Sequence, residues 1–155
     1  PIQSNKTRLV ATHFDWVHSV DRLKIAQRLS EQRPPDMAPL QLCLQVNIDG
    51  GANKAGVAPA DALDLARQVA ALPRLKLRGI MTIPEPAPDH ASALATHLQA
   101  REVWERLRAA GLPMDTLSMG MSADLEAAIA AGSTMVRIGS ALFGARQSAP
   151  DRIPR

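Results

Sequence analysis

Leu117-Ser118-Met119-Gly120-Met121-Ser122 and Met135-Val136-Arg137-Ile138-Gly139-Ser140 are two strand-like runs, each leading into a turn that holds a glycine and a serine. In the first, Gly120 allows close approach of the backbone to a ligand. Ser122 is suited to N-cap a helix over residues 123–131, whose first free N–H groups would then point above the strand. Such a terminus attracts phosphate. An ordinary βα turn with a capped helix explains the same residues, and Asp124 and Glu126, favourable to the helix dipole, would repel an anion set too close. In the second run, alternation sends Val136 and Ile138 to one face and Arg137 inward. A guanidinium there needs either an anion or a salt bridge to an inward carboxylate. Gly139 and Ser140 add further backbone donors and a hydroxyl. Two successive turns of this kind fit the phosphate cradle that follows the last two strands of a (β/α)8 barrel.

The rest of the chain alternates strand-like and helix-like stretches, the pattern of βα units on a parallel sheet. Trp16-Val17-His18-Ser19-Val20 reads as a strand. Asp21 is placed to cap a helix with Leu23, Ile25, Ala26 and Leu29 inward, and Pro34 and Pro35 stop it. Residues 40–48 form a second strand in which Leu42, Leu44, Val46 and Ile48 alternate with Cys43, Gln45 and Asn47, a polar inner face that suits a ligand-holding barrel. A loop over 50–56 precedes a helix over 60–72, with Pro59 near its first turn. Strand 77–83 ends at Pro84, Pro86 and Pro88, helix 89–110 ends at Gly111, and strand 116–119 leads to the helix that stops at Gly132. Strand 135–138 and a short final helix complete a single domain over residues 1–155, with five parallel strands in all.

The 155 residues, 46% apolar and 21% charged, can bury one ordinary core. No apolar run approaches the ~20 residues of a membrane span, so no membrane association is expected. Cys43 is the sole cysteine, and without an internal disulfide the default compartment is the reducing cytoplasm. A net charge of +3 invites a nucleic-acid reading, but aromatics at 3% leave no stacking platform for bases. The basic residues are scattered apart from Arg146, Arg152 and Arg155, which reads as a solvated surface. Gly51 to Gly56 has the glycine spacing of a P-loop, yet Val57 stands where lysine is required. His13, His18, His90 and His97 show no metal-ligand spacing with one another or with Cys43 and read as surface or strand-end residues. No Gly-x-Ser-x-Gly elbow occurs, and Met81, Met114, Met119, Met121 and Met135 read as core filling. The opening Pro1-Ile2-Gln3-Ser4-Asn5-Lys6 has the character of a loop interior, so the native start is expected upstream.

Gln3-Ser4-Asn5-Lys6, Leu77-Arg78-Gly79-Ile80-Met81, the Ser118–Ser122 run with Asp124, and the Val136–Ser140 run with Phe143-Gly144 together resemble the pyridoxal phosphate homeostasis (YggS-like) family over nearly the whole chain. The resemblance implies a TIM-type (β/α)8 barrel of the alanine racemase N-terminal kind, fold type III among pyridoxal-phosphate proteins. It implies binding of pyridoxal 5′-phosphate (PLP) and buffering of its supply, with PLP-dependent apoenzymes as recipients, by a carrier more than a catalyst. Carried over by position, Ser118, Gly120, Ser122, Gly139 and Ser140 belong to the phosphate loops, Arg137 faces the pyridine nitrogen, and Asn5 lies near the ring. An arginine there keeps that nitrogen unprotonated and weakens the ring as an electron sink. The family's Schiff-base lysine lies on the first barrel strand in a Ser-Lys-Thr-like segment, which this chain lacks. Lys6 and Lys54 match other family positions. The resemblance therefore implies that about three βα units, some 80–90 residues at roughly 30 per unit, are missing, and no catalytic or metal-binding residue is assigned. Five strands without the rest of a barrel leave open edges that invite self-association. Two other readings stand beside this one: a racemase or decarboxylase on the same barrel, and a self-contained doubly wound domain that binds a nucleotide phosphate.

Overall fold

The computed structural model describes residues 1–51 and 55–144. Lys54 and the basic residues Arg146, Arg152 and Arg155 lie outside the described residues. Four strands, β1 (Trp16–Val20), β2 (Leu40–Gln45), β3 (Leu75–Met81) and β4 (Thr116–Ser118), pair in parallel in the order β1-β2-β3-β4. Before β1 come a 3-10 turn, Ser4–Lys6, and helix α1 (Thr7–His13). Helices α2 (Leu23–Gln32), α3 (Ala62–Ala70) and α4 (His90–Ala109) fill the crossovers, and α5 (Leu125–Ala130) and α6 (Ser140–Phe143) follow β4. Right-handed crossovers that always advance one strand in the same direction put every helix on one face of the sheet. Consistent with this, α2 packs on α3, α3 on α4 and α4 on α5. A doubly wound domain needs a reversal of strand order. None occurs among the described strands, and the nucleotide-domain reading loses its fold.

The helix-facing side of the sheet is apolar. Leu40, Leu42, Leu44 and Val46 from β2 and its extension join Ile25, Leu29, Ala66, Val69 and Leu107 in one buried cluster. Each large aliphatic side chain there contributes roughly 1.5–3 kcal/mol by leaving water. At the end of α2, Arg33 is only 2% exposed and acts as a polar hub. Its Nη1 donates to the carbonyls of Ala11 (2.8 Å) and Phe14 (2.7 Å), and its Nε donates to that of Ala38 (2.9 Å). This hub ties α1 and the entry to β1 onto the turn that precedes β2. No helix among the described residues is long and apolar enough to cross a membrane.

Several sequence expectations change. Residues 135–138 do not form a fifth strand; four strands make up the sheet, and only Met135 bridges Ser118. Met119 N–H donates to Met135 O and Arg137 N–H to Gly120 O, but Gly120 at φ +95° turns the backbone away and leaves no strand for the ladder to continue along. Strand β2 stops at Gln45, and Val46 makes an isolated bridge to Val57. Helix α1 was not foreseen, since 7–13 carries no flanking stop signal. Asp21 does not cap α2; its carboxylate takes Arg22 instead, at 2.8 Å. Met121 is exposed rather than core filling.

Two consequences can be measured. A Cβ on Gly79 would sit 1.6 Å from the Thr116 carbonyl oxygen across the β3–β4 pair. Gly79→Ala must push the strands apart, and a loss of about 2–3 kcal/mol is expected in urea unfolding. Burial, partly offset by Arg78 and Arg137, pushes the Cys43 thiol up to about 12. Native protein at pH 8 should resist iodoacetamide, with labelling seen by mass spectrometry only after unfolding.

Candidate functional site

At the C-terminal ends of β3 and β4, Arg137 lies inward across the sheet. Its Nη1 donates to Ser118 Oγ and its Nη2 to the Thr82 carbonyl, both at 2.8 Å. Burial lowers the Arg137 pKa from the ordinary guanidinium value, while Asp124 and Cys43 act against that. Ser118 Oγ also lies 2.9 Å from His18 Nδ1 on β1. Ser118 Oγ accepts from Arg137 and has its own proton to give, and where that proton goes to His18 Nδ1 the neutral imidazole carries its proton on Nε2. Burial, and secondarily Arg137, hold His18 below the usual histidine value, favouring that neutral form. The chain Arg137–Ser118–His18 thus spans the sheet from β4 to β1.

Above it lie the two glycine turns. A Cβ at Gly120 would come within 2.5 Å of Ala128 Cβ, so the turn presses on α5 as only glycine permits. The Met121 N–H donates to Asp124 Oδ1 at 2.7 Å, and Asp124 Oδ2 accepts from His97 Nε2 at 2.9 Å. Both carboxylate oxygens are thereby engaged within the protein, which answers the repulsion expected from this residue. Ser122 does not cap α5. Its Oγ accepts the Ala141 N–H at 3.2 Å and joins the two turns. Among the described residues, no intramolecular acceptor takes the N–H of Ser122, Ala123, Gly139 or Ser140. The residues that carry these N–H groups line, with Arg137, a cavity of about 400 Å³ walled by Met121 and Ile138. A larger cleft of about 570 Å³ opens between residues 84–90 and 121–127, but Glu85, Asp89 and Glu126 line it. An anion belongs in the smaller one.

The residues expected at the site separate into three groups. Ser122, Arg137, Gly139 and Ser140 line the cavity together. Ser118, fully buried, and Gly120 lie beneath it: Ser118 orients Arg137 and Gly120 shapes the turn. Asn5 is exposed in the 3-10 turn Ser4–Lys6, which docks on α2 through Arg22 to the Ile2 carbonyl and Arg28 to the Ser4 carbonyl, and no contact carries Asn5 to the cavity. His18, Thr82 and His97 were not foreseen. His18 had a usable signal: in a strand with Val17 inward to the helices, it shares the opposite face with Trp16.

A family model described as the alanine racemase N-terminal domain matches residues 2–147. The pyridoxal phosphate homeostasis protein of Pseudomonas aeruginosa is 62% identical over 146 residues, which make up 94% of this chain and 62% of that relative. The chain therefore spans under two thirds of that relative's length. The structure of PipY from Synechococcus elongatus with PLP bound superposes with a TM-score of 0.84 at 38% identity, over 93% of this chain and 68% of that one. Alanine racemase of Clostridium difficile, at 18% identity and a TM-score of 0.73 over 96% of this chain and 39% of its own, shares the fold. The parallel strands described above are therefore an arc of that barrel, and the chain belongs to the alanine racemase N-terminal domain family.

Proposed function

We propose that this chain holds the phosphate and one ring edge of pyridoxal 5′-phosphate, as part of a protein that buffers or carries the cofactor. The observation that carries this reading is the pair of turns joined by Ser122 and Ala141, whose residues with unengaged N–H groups line one cavity together with Arg137. Four backbone donors and a guanidinium suit a doubly charged phosphate ester better than any neutral ligand. The names of the relatives and the PLP bound to PipY support the same ligand.

PLP, when bound, supplies an aldehyde and an electron-withdrawing ring. The turns over 120–123 and 138–141 would hold its phosphate, Ser122 and Ser140 adding hydroxyls. Arg137, held flat by Ser118 and Thr82, would offer its remaining N–H groups to the ring nitrogen and keep that nitrogen unprotonated. Neutral His18 fixes the hydroxyl of Ser118 and so the tilt of the guanidinium. Among the described residues no lysine lines the cavity, and the contribution proposed for this chain is non-covalent. The solitary, buried Cys43 fits a reducing cytoplasm. PLP-dependent apoenzymes are the recipients we assign, and the outer edge of β1, which no strand among the described residues covers, is the surface for self-association.

Isothermal titration tests the site. The chain is expected to bind PLP with displacement by inorganic phosphate, and Arg137→Met is expected to weaken PLP about tenfold to a hundredfold. After borohydride treatment of the mixture, peptide mapping should place no pyridoxyl group on a residue that lines the cavity, and a stable adduct there would refute the non-covalent reading.

The histidine gives a pH test. Its folded pKa lies below the unfolded value of roughly 6.5, so the unfolded chain binds more protons between the two. The stability it contributes is present above pH ~6.5 and is lost as pH falls toward the folded pKa. Urea midpoints at pH 7.5 and 5.5 should therefore differ by less in His18→Gln than in the unaltered chain.

A further inference from the structure

His97 lies outside the cavity, on α4 in the outer layer, and is 1% exposed. Its Nε2 donates to Asp124 Oδ2, while its Nδ1 is buried with no hydrogen-bond partner. An aliphatic or aromatic side chain at this position would pack without leaving a polar atom bare, and a bare buried acceptor is costly. Among the described residues, the one side-chain hydrogen bond that His97 makes is with Asp124, so the reason for a histidine here lies in what Asp124 does.

Asp124 joins two elements. Oδ1 takes the Met121 N–H, and the Asp124 N–H returns to Met121 O at 3.1 Å, closing the turn that presents the N–H groups of Ser122 and Ala123. Its charge is also felt by Arg137. A free carboxylate at this place would turn toward the guanidinium and the anion site, competing for the first and repelling the occupant of the second. With one oxygen on the turn and the other on His97, its orientation is set, because a carboxylate holding two directional hydrogen bonds in place has little freedom to rotate.

We propose that His97 is a positioning residue for anion binding: through Asp124 it holds the Gly120–Ala123 turn in its donor-presenting form and keeps the carboxylate turned from the site. The inference rests on the phosphate reading given above and adds a residue to it from a different layer of the fold.

The test uses the 155-residue chain with PLP and with inorganic phosphate as titrants. His97→Phe keeps bulk and removes the donor. His97→Asn, whose amide reaches only as far as Nδ1, is the second variant should the phenylalanine fail to fold. His97→Gln carries its amide to the Nε2 position and restores the donor. Dissociation constants for both titrants are expected to rise about tenfold in the Phe and Asn variants, and the Gln variant is expected to lie within about threefold of the unaltered chain. A structural role alone would not be rescued by glutamine, which fills the space less well than phenylalanine does. Unchanged affinities in the Phe and Asn variants, or a Gln variant as weak as they are, overturn the clamp while leaving the phosphate site standing. An unaltered chain that binds neither titrant overturns both.

Discussion

Arg137 sets a condition that the surrounding structure has to meet. A guanidinium drawn in across the ends of two parallel strands loses water on most of its surface and must recover hydrogen bonds from protein or ligand. Ser118 and the Thr82 carbonyl supply two of them. These fix its plane and leave its other donors facing the cavity. The demand passes onward: Ser118, having accepted from Arg137, shares a hydrogen bond with His18 Nδ1. A side chain on the first strand is therefore oriented by one that follows the last.

The same end of the sheet depends on backbone approaching closely enough to build a donor surface. Gly120 meets that need against Ala128, with no room for a Cβ. Its positive φ ends the pairing that began at Met135. Loss of a fifth regular strand and creation of a turn rich in free N–H groups are thus one event. Asp124 looks unhelpful beside an anion, but both its oxygens are held, by Met121 and His97, and what remains is a turn of fixed shape.

At the opposite end of the inner face a second arginine is treated differently. Arg78 lies 4.6 Å over the Trp16 ring and makes paired hydrogen bonds to Asp115 at 2.9 and 2.6 Å, with a further one to Gln41. Paired to a carboxylate and stacked on an indole, it closes that end of the inner face. Arg137 has a hydroxyl and a carbonyl but, among the described residues, no carboxylate bound to it, which suits it to an anion. The distinction between a plug and a binding residue lies in these partners.

Much of this could be read from amino-acid order. Alternation in 40–46 told the helix face from the polar face, and the proline run after residue 83 and Gly111 and Gly132 marked the ends of elements. Arg137 reads as inward from strand alternation with Val136 and Ile138, and it does lie inward, although 135–138 forms no strand and Ile138 lines the same cavity. Those features are local: side-chain direction repeats every second residue in a strand, and glycine or proline acts on its own backbone, so each is written where it operates. Hydrogen-bond partners are not local. His18 and Ser118 stand 100 residues apart in the chain, His97 and Asp124 stand 27 apart, and Ser122 and Ala141 stand 19 apart. No periodicity links them. Ser122 was a plausible cap by its position, but α5 begins only at Leu125, and the Ser122 hydroxyl accepts the Ala141 N–H and ties two turns together instead. Which polar group meets which is settled by how the layers stack, since a hydrogen bond is won or lost within a few tenths of an ångström.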